Sequence, residues 1–268
     1  MKRFIFLITT LTATLLCHGQ NVNISGVINQ YTIVNTIAGN NITVSSSSGF
    51  SIGDKVLIIQ MQGADMNETN SSAFGDVNAF GDAGNYEFAT VCSISSSTEI
   101  ILNDIQRTYT PSENVQLVYV PVYNDATITG TLTAPAWDGT TGGVLAFECT
   151  GALTMNNGID LQGSGFRGGA VTTSSHSCSW ISPVTDYFYD LSTGEGAKKG
   201  EGVGLYITGK TGGRGAQTNG GGGGNDHNSG GGGGGNIGAG GQGGERIKLG
   251  TFYCGGQSPG VGGKSNPY

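Results

Sequence analysis

Charge is scarce in this chain. Asp, Glu, Lys and Arg make up 12 % of its 268 residues, against about a quarter in ordinary globular proteins. The surplus is acidic, with a formal net charge of −7, which argues against nucleic acid and anionic membrane surfaces as partners. Histidine is nearly absent: of three in the chain, only His176 and His227 lie beyond the first twenty residues, too few for a multi-histidine zinc site. A serine triad lacks its nucleophile elbow, and the carboxylates show no paired placement that would mark an acid and a base. No window beyond the amino terminus keeps a helical period, and no later apolar run is long enough to span a membrane. These absences leave no catalytic residue, metal site or cofactor to expect.

What the first twenty residues do contain is an export signal. Lys2 and Arg3 precede an apolar stretch from Phe4 to Leu16, and Cys17-His18-Gly19 places small residues where cleavage needs them. Cleavage after residue 19 or 20 gives a secreted or cell-surface protein. Removing Lys2 and Arg3 takes the net charge from −7 to −9. A lipoprotein acylated at Cys17 is the alternative, though Leu16 stands where a small residue is expected. Cys92, Cys149, Cys178 and Cys254 remain, an even number that fits two disulfides in an exported chain. Cys178 with Cys254 is the favoured pairing, because closing the long glycine loop between them offsets some of its ordering entropy. Cys92 and Cys149 could equally be small hydrophobes buried on strands.

Short β-branched or aromatic runs fill the first half: Tyr31–Val34, Ile42–Val44, Lys55–Ile59, Tyr86–Val91, Glu99–Leu102 and Val115–Val120. They predict an all-β domain over 21–125, a small β-barrel or sandwich. Its loop Met61–Gly84 is long and acidic, carrying Asp65, Glu68, Asp76 and Asp82. Calcium ligation by such a loop lacks EF-hand spacing, so a solvated loop is expected. Over 126–169, Thr127–Thr133, Gly143–Gly151 and the Leu153, Met155, Ile159, Leu161 pattern around Asn157-Gly158 resemble coils of a short β-helix. Residues 170–268 form a glycine-rich module with an aromatic insert.

The runs Gly49–Gly63, Ala83–Phe88, Trp137–Phe147 and Gly165–Gly169 resemble the amino-terminal region of large secreted surface proteins of Bacteroidetes, many exported by the type IX, gliding-associated system. That resemblance spans most of the chain after the signal and implies export without implying a catalytic motif. The carboxy-terminal sorting domain of such cargo is not seen, which suits a shortened member or a fragment.

Glycine accounts for 50 residues, concentrated after Gly194 and densest at Gly220–Gly224 and Gly230–Gly235. A side-chain core cannot form there, so the tract is either a tether or an ordered polyglycine-II-like bundle in which only glycine permits close packing of backbones. Interruption by Tyr206, Ile207, Ile237, Ile247, Leu249, Phe252 and Tyr253 favours the bundle. The tract resembles glycine-rich regions of phage tail-tip adhesins and of the anaplastic-lymphoma-kinase receptor family. Two motif matches within it fail on context. Gly221–Asp226 begins a calcium-binding nonapeptide, but Asn228 stands where an apolar plug is needed. Gly204–Thr211 fits the phosphate-loop pattern, but its interior reads as a strand.

The insert supplies the candidate ligand contacts: His176, Trp180, Tyr187, Phe188 and Tyr189, aromatics flanked by polar residues that suit carbohydrate or a surface protein. The same aromatics could instead be a small core anchoring the glycine bundle. The expected function is therefore non-enzymatic, adhesive or structural. Two alternatives stand beside it: a polysaccharide-processing enzyme using carboxylates such as Asp138 and Asp160, and an architectural segment of a longer exported protein.

Overall fold

The computed structural model describes residues 21–172, 185–193, 196–225, 229–245 and 258–265. The predicted signal, His176, Trp180, Cys178 and Cys254 lie outside these residues. In chain order the strands are β1 (Asn21–Val27), β2 (Tyr31–Ala38), β3 (Asn41–Val44), β4 (Lys55–Gln60), β5 (Asp65–Met66), β6 (Val77–Ala79) and β7 (Tyr86–Ser96). They continue with β8 (Glu99–Leu102), β9 (Val115–Tyr119), β10 (Val122–Tyr123), β11 (Asp125–Thr133), β12 (Glu148–Cys149) and β13 (Leu153–Met155).

The six strands legible in the first half close into one antiparallel barrel, in the order β2-β3-β8-β7-β4-β9. A barrel rather than a sandwich results because β9 pairs with both β2 and β4, leaving no open edge to protect. Alternate residues point inward, and Val34, Ile42, Val56, Ile58, Ile100, Val115 and Leu117 pack with Phe50 and Tyr109 in its interior. Burial raises the Tyr109 hydroxyl well above the usual tyrosine range, and the Glu87 carboxylate adds to the shift. Outside the barrel, Leu57, Val118 and Val120 are covered by Val144 and Ala146. There the Tyr31 hydroxyl, pushed up by burial to about 12, donates to the Val144 carbonyl.

Residue pairing changes from antiparallel to parallel after Val120. β1, which the sequence grouped with the barrel, instead lies parallel to β11, and β11 is parallel to β13. Val122 pairs with Glu148, Ala126 with Leu153 and Leu132 with Ile159, a step of 26 or 27 residues. Two turns of chain are therefore stacked, with Ile24, Ala126, Ile128 and Leu132 buried between them. The predicted strand Gly143–Gly151 is strand only at β12, because residues 142–147 follow the outside of the barrel. Cys149 on β12 and the exposed Cys92 on β7 are free thiols; they sit on strands as one reading held, but neither is buried.

In the glycine-rich region, neighbouring segments are bonded to each other at every third residue. Gly232 and Gly235 donate to Gly222 and Asn219; Gly260 and Gly263 donate to Gly230 and Gly233; Gly240 and Gly243 donate to Gly263 and Gly260. Gly200 and Ala197 bond likewise to Gly221 and Gly224, and Gly222 and Asn225 to Val261 and Ser258. Segments near 197–203, 211–217, 219–225, 229–235, 240–244 and 258–264 thus lie side by side, with Gly220–Asn225 buried in the middle. A Cβ on Gly221, Gly223 or Gly262 would overlap the carbonyl of Gly232, Ala197 or Gly240. Glycine is required at these positions because backbone, rather than side chain, fills the interior.

Candidate functional site: the seam between barrel loop and glycine segments

The acidic loop between β4 and β7 leaves Asp65, Glu68 and Asp76 exposed, as a solvated loop would, but buries Gln62 and Phe74. It is clamped against the glycine segments. Gly63 and Ala64 both donate to the Val203 carbonyl, at 2.8 and 3.1 Å. Gln62, buried, donates from Nε2 to the Gly202 carbonyl at 2.6 Å and accepts from Asn114 at its Oε1. Phe74 is 1 % exposed, and its ring meets Phe188 at 5.4 Å. Gly75, with φ of +83°, lies so close to Ala216 that a Cβ would strike its carbonyl. Two ion pairs finish the clamp, Lys210 with Glu68 at 2.8 Å and Lys264 with Asp76 at 2.7 Å.

Behind Phe74 lies Lys199, fully buried. Its Nζ donates to the carbonyls of Tyr187, Gly213 and Gly215 and lies 4.6 Å from the Phe74 ring centroid. Burial pushes its pKa down to about 6. A neighbouring hydroxyl responds in the opposite sense: Tyr206, which donates to the Lys199 carbonyl, is raised by burial and then by the Glu201 carboxylate to about 12.

Three larger clefts open along this seam, beside a smaller one of about 240 Å³ between Gly63–Met66 and Leu205. One of about 670 Å³ is lined by Asp76, Val77, Phe80, Gly240, Gln242 and Lys264 among others. A second of about 500 Å³ contains Met61, Phe80, Ala83, Asn85 and Val203. The third, also about 500 Å³, is bordered by Phe166, Glu201, Val203, Asn219 and Asn236. Phe80 is common to the first and second, and Val203 to the second and third. Glu201 is anchored by Arg167, whose amide and Nε donate to its carboxylate at 3.0–3.1 Å and whose Nη2 also reaches it. Burial opposes ionisation of Glu201, but these Arg167 bonds outweigh it and hold the carboxyl below its usual range.

Of the sequence candidates, Tyr187, Phe188 and Tyr189 are half-buried and turned toward the glycine segments. Arg214 lies over the Tyr187 ring at 5.2 Å, Lys210 over Phe188 at 4.8 Å, and Tyr189 exchanges backbone bonds with Gly212. They border none of these clefts. Asp138 and Asp160 are likewise apart from the seam clefts. Asp138 Oδ1 accepts from the amides of Thr140 and Thr141 and from the Thr140 hydroxyl; these turn bonds overcome a burial effect of opposite sign and lower its pKa. Asp160 accepts from the Gln162 amide at 2.8 Å. Sequence reasoning missed Phe80, Glu201, Val203 and Lys264. The available signal was an aromatic inside an acidic loop and isolated charges inside glycine sequence.

No family model matches the chain, and no curated protein matches it. Among solved structures it is similar to two phage proteins. One is the gp54 tailspike of Acinetobacter baumannii bacteriophage AP22, in complex with A. baumannii capsular saccharide. It is 16 % identical with a TM-score of 0.27, over 53 % of this chain and 24 % of that one. The other is the tailspike protein gp49 of Pseudomonas phage LKA1, 14 % identical with a TM-score of 0.22, over 44 % and 23 %. The chain thus spans about a quarter of the length of either, and the functional reading rests on the seam itself.

Proposed function

We propose that this is an exported, non-enzymatic carbohydrate-binding or adhesive protein, and that the seam is its binding surface. The observation that carries the proposal is the conjunction at the seam of an aromatic side chain, Phe80, shared by two open clefts with hydrogen-bonding groups around it. Apolar sugar faces stack on aromatic rings while hydroxyls seek amides and carboxylates such as those of Gln242, Asp76 and Asn85. In this reading the glycine segments are a polyglycine-II-like lattice, supported by their three-residue bonding step. The stacked turns of β11 and β13 are a short β-helix, supported by the 26- or 27-residue step. The glycine segments make the wall opposite the barrel loop, and a preformed wall lowers the ordering entropy that opposes binding.

The non-enzymatic reading draws support from Asp138, a carboxylate engaged in turn bonds and held ionised, which does not suit a general acid. Retention of the protein on immobilised polysaccharides, with loss on Phe80→Ala and no release of reducing sugar, is the test. Absence of binding across a broad polysaccharide panel would overturn the proposal, as would saccharide release that Asp138→Asn abolishes.

A further inference from the structure

We infer that the open edge of β13 is an interface between two copies of this chain, paired antiparallel about Thr154. The parallel sheet has the order β1-β11-β13, so β13 ends the stack. Its residues repeat, one turn later, positions that β11 buries. Ala126, Ile128 and Leu132 are fully buried, whereas their partners Leu153, Met155 and Ile159 are 40, 59 and 45 % exposed. Leu161 follows at 38 %. Residues paired in register face the same side of a sheet, so these side chains continue the buried column and lack only a further layer. Single apolar residues on a surface need no explanation, but four gathered between Leu153 and Leu161 make a patch.

The backbone of this edge is equally unfinished. Ala126 donates to the Ala152 carbonyl, and successive residues of a strand turn their amide and carbonyl to opposite edges. Those of Leu153 and Met155 therefore face away from β11, and among the described residues β13 pairs with no other strand. Exposed edges are ordinarily blunted by Lys, Pro or a bulge. On the far side of the stack, β1 carries a bulge between Ile24 and Gly26. β13 keeps an unbroken register, and the run 150–165 holds no Lys, Arg or Pro.

Charge and symmetry select the occupant. The chain is acidic at −7, so two copies repel over most of their surfaces, yet Asp160 is the single charge in the run 150–165. A two-fold axis through Thr154 sets Leu153 opposite the partner's Met155, so apolar meets apolar and the outward amides and carbonyls bond in pairs. The same patch serves both copies, so the pair closes. Stacking β13 on the β1 of a further copy would instead set a straight edge against a bulged one.

The test is sedimentation of the full chain under reducing conditions, over about 1 to 100 μM, which brackets micromolar association. A species of twice the monomer mass is expected to grow in across that range. Thr154→Lys, at an exposed position, is expected to weaken it at least about tenfold while the dissociated chain keeps its urea midpoint. Val22→Lys, on β1, is expected to leave it intact. Thr154→Cys meets its own symmetry mate at a spacing that a disulfide can bridge, and it should cross-link on oxidation more than the unsubstituted chain does. A monomer throughout the range overturns the inference. So does a dimer that Thr154→Lys leaves unchanged and Thr154→Cys fails to cross-link, or an open-ended series that Val22→Lys disperses.

Discussion

The Nζ of Lys199 lies 4.6 Å from the centre of the Phe74 ring, so the barrel's acidic loop caps a buried lysine of the glycine region. The contact makes the two regions depend on each other. Truncating Lys199 to Ala leaves the carbonyls of Tyr187, Gly213 and Gly215 without their donor and opens a void. A loss of about 3 kcal/mol is expected, read as a lower urea midpoint. Phe74→Ala should cost about as much, through its contacts with both Lys199 and Phe188.

Lys199 also gives stability a pH dependence. Its folded pKa of about 6 lies below the ordinary value of 10.5, so between those two values the unfolded chain binds the extra proton. Stability therefore rises with pH through that window. Lys199→Met should flatten the rise, and an unchanged slope in denaturant titrations between pH 6 and 9 would refute the assignment.

Glu201 acts at the acid end. Its folded pKa is held below the usual 4.5, so its contribution is present above that value and is lost as pH falls through the folded pKa. Glu201→Gln should remove this part of the acid sensitivity, checked by comparing midpoints at pH 3 and pH 7.

Glycine substitutions should divide sharply by position. Alanine at Gly221 or Gly223 places a methyl on a neighbouring carbonyl that belongs to fixed backbone, and about 2–3 kcal/mol of destabilisation or more is expected. Alanine at Gly241 or Gly244 meets nothing within 4 Å and should be neutral or stabilising by up to about 1 kcal/mol through the unfolded chain. Thermal unfolding of the four variants makes the comparison.

Amide exchange reports the same lattice directly. The amides of Gly222, Gly232, Gly260 and Gly263 each donate to another glycine-region carbonyl, so they should be protected well beyond the random-coil rate. Exchange at the random-coil rate would show that these bonds do not persist in solution.

Much of the barrel was legible beforehand. Tyr31–Val34, Ile42–Val44 and Glu99–Leu102 alternate buried with less buried residues, and Lys55–Ile59, Tyr86–Val91 and Val115–Val120 are rich in β-branched or aromatic residues, patterns that local sequence writes directly. The seam was not legible in this way. Phe80 sits in a run that reads as a polar loop, and Val203 in glycine sequence; they border one cleft where Gly63 and Ala64 reach the Val203 carbonyl, a contact across about 140 residues that no local pattern encodes. The aromatic insert was readable as aromatic, but the direction Tyr187 and Phe188 face depended on Arg214, Lys210 and Phe74 arriving from elsewhere.

By itself, then, the sequence determined an acidic, nearly helix-free β chain with six strands in its first half and a glycine region unable to build a side-chain core, because charge, strand propensity and the missing Cβ are properties of single residues and their neighbours. Tertiary structure alone decided that the strands close into a barrel, that β1 leaves it to join β11, and that backbone fills the interior around Gly220–Asn225. Each of those outcomes rests on hydrogen bonds between distant segments. Backbone amides and carbonyls are alike at nearly every residue, so their pairing is fixed by which segments can approach closely, and that is a property of the assembled fold.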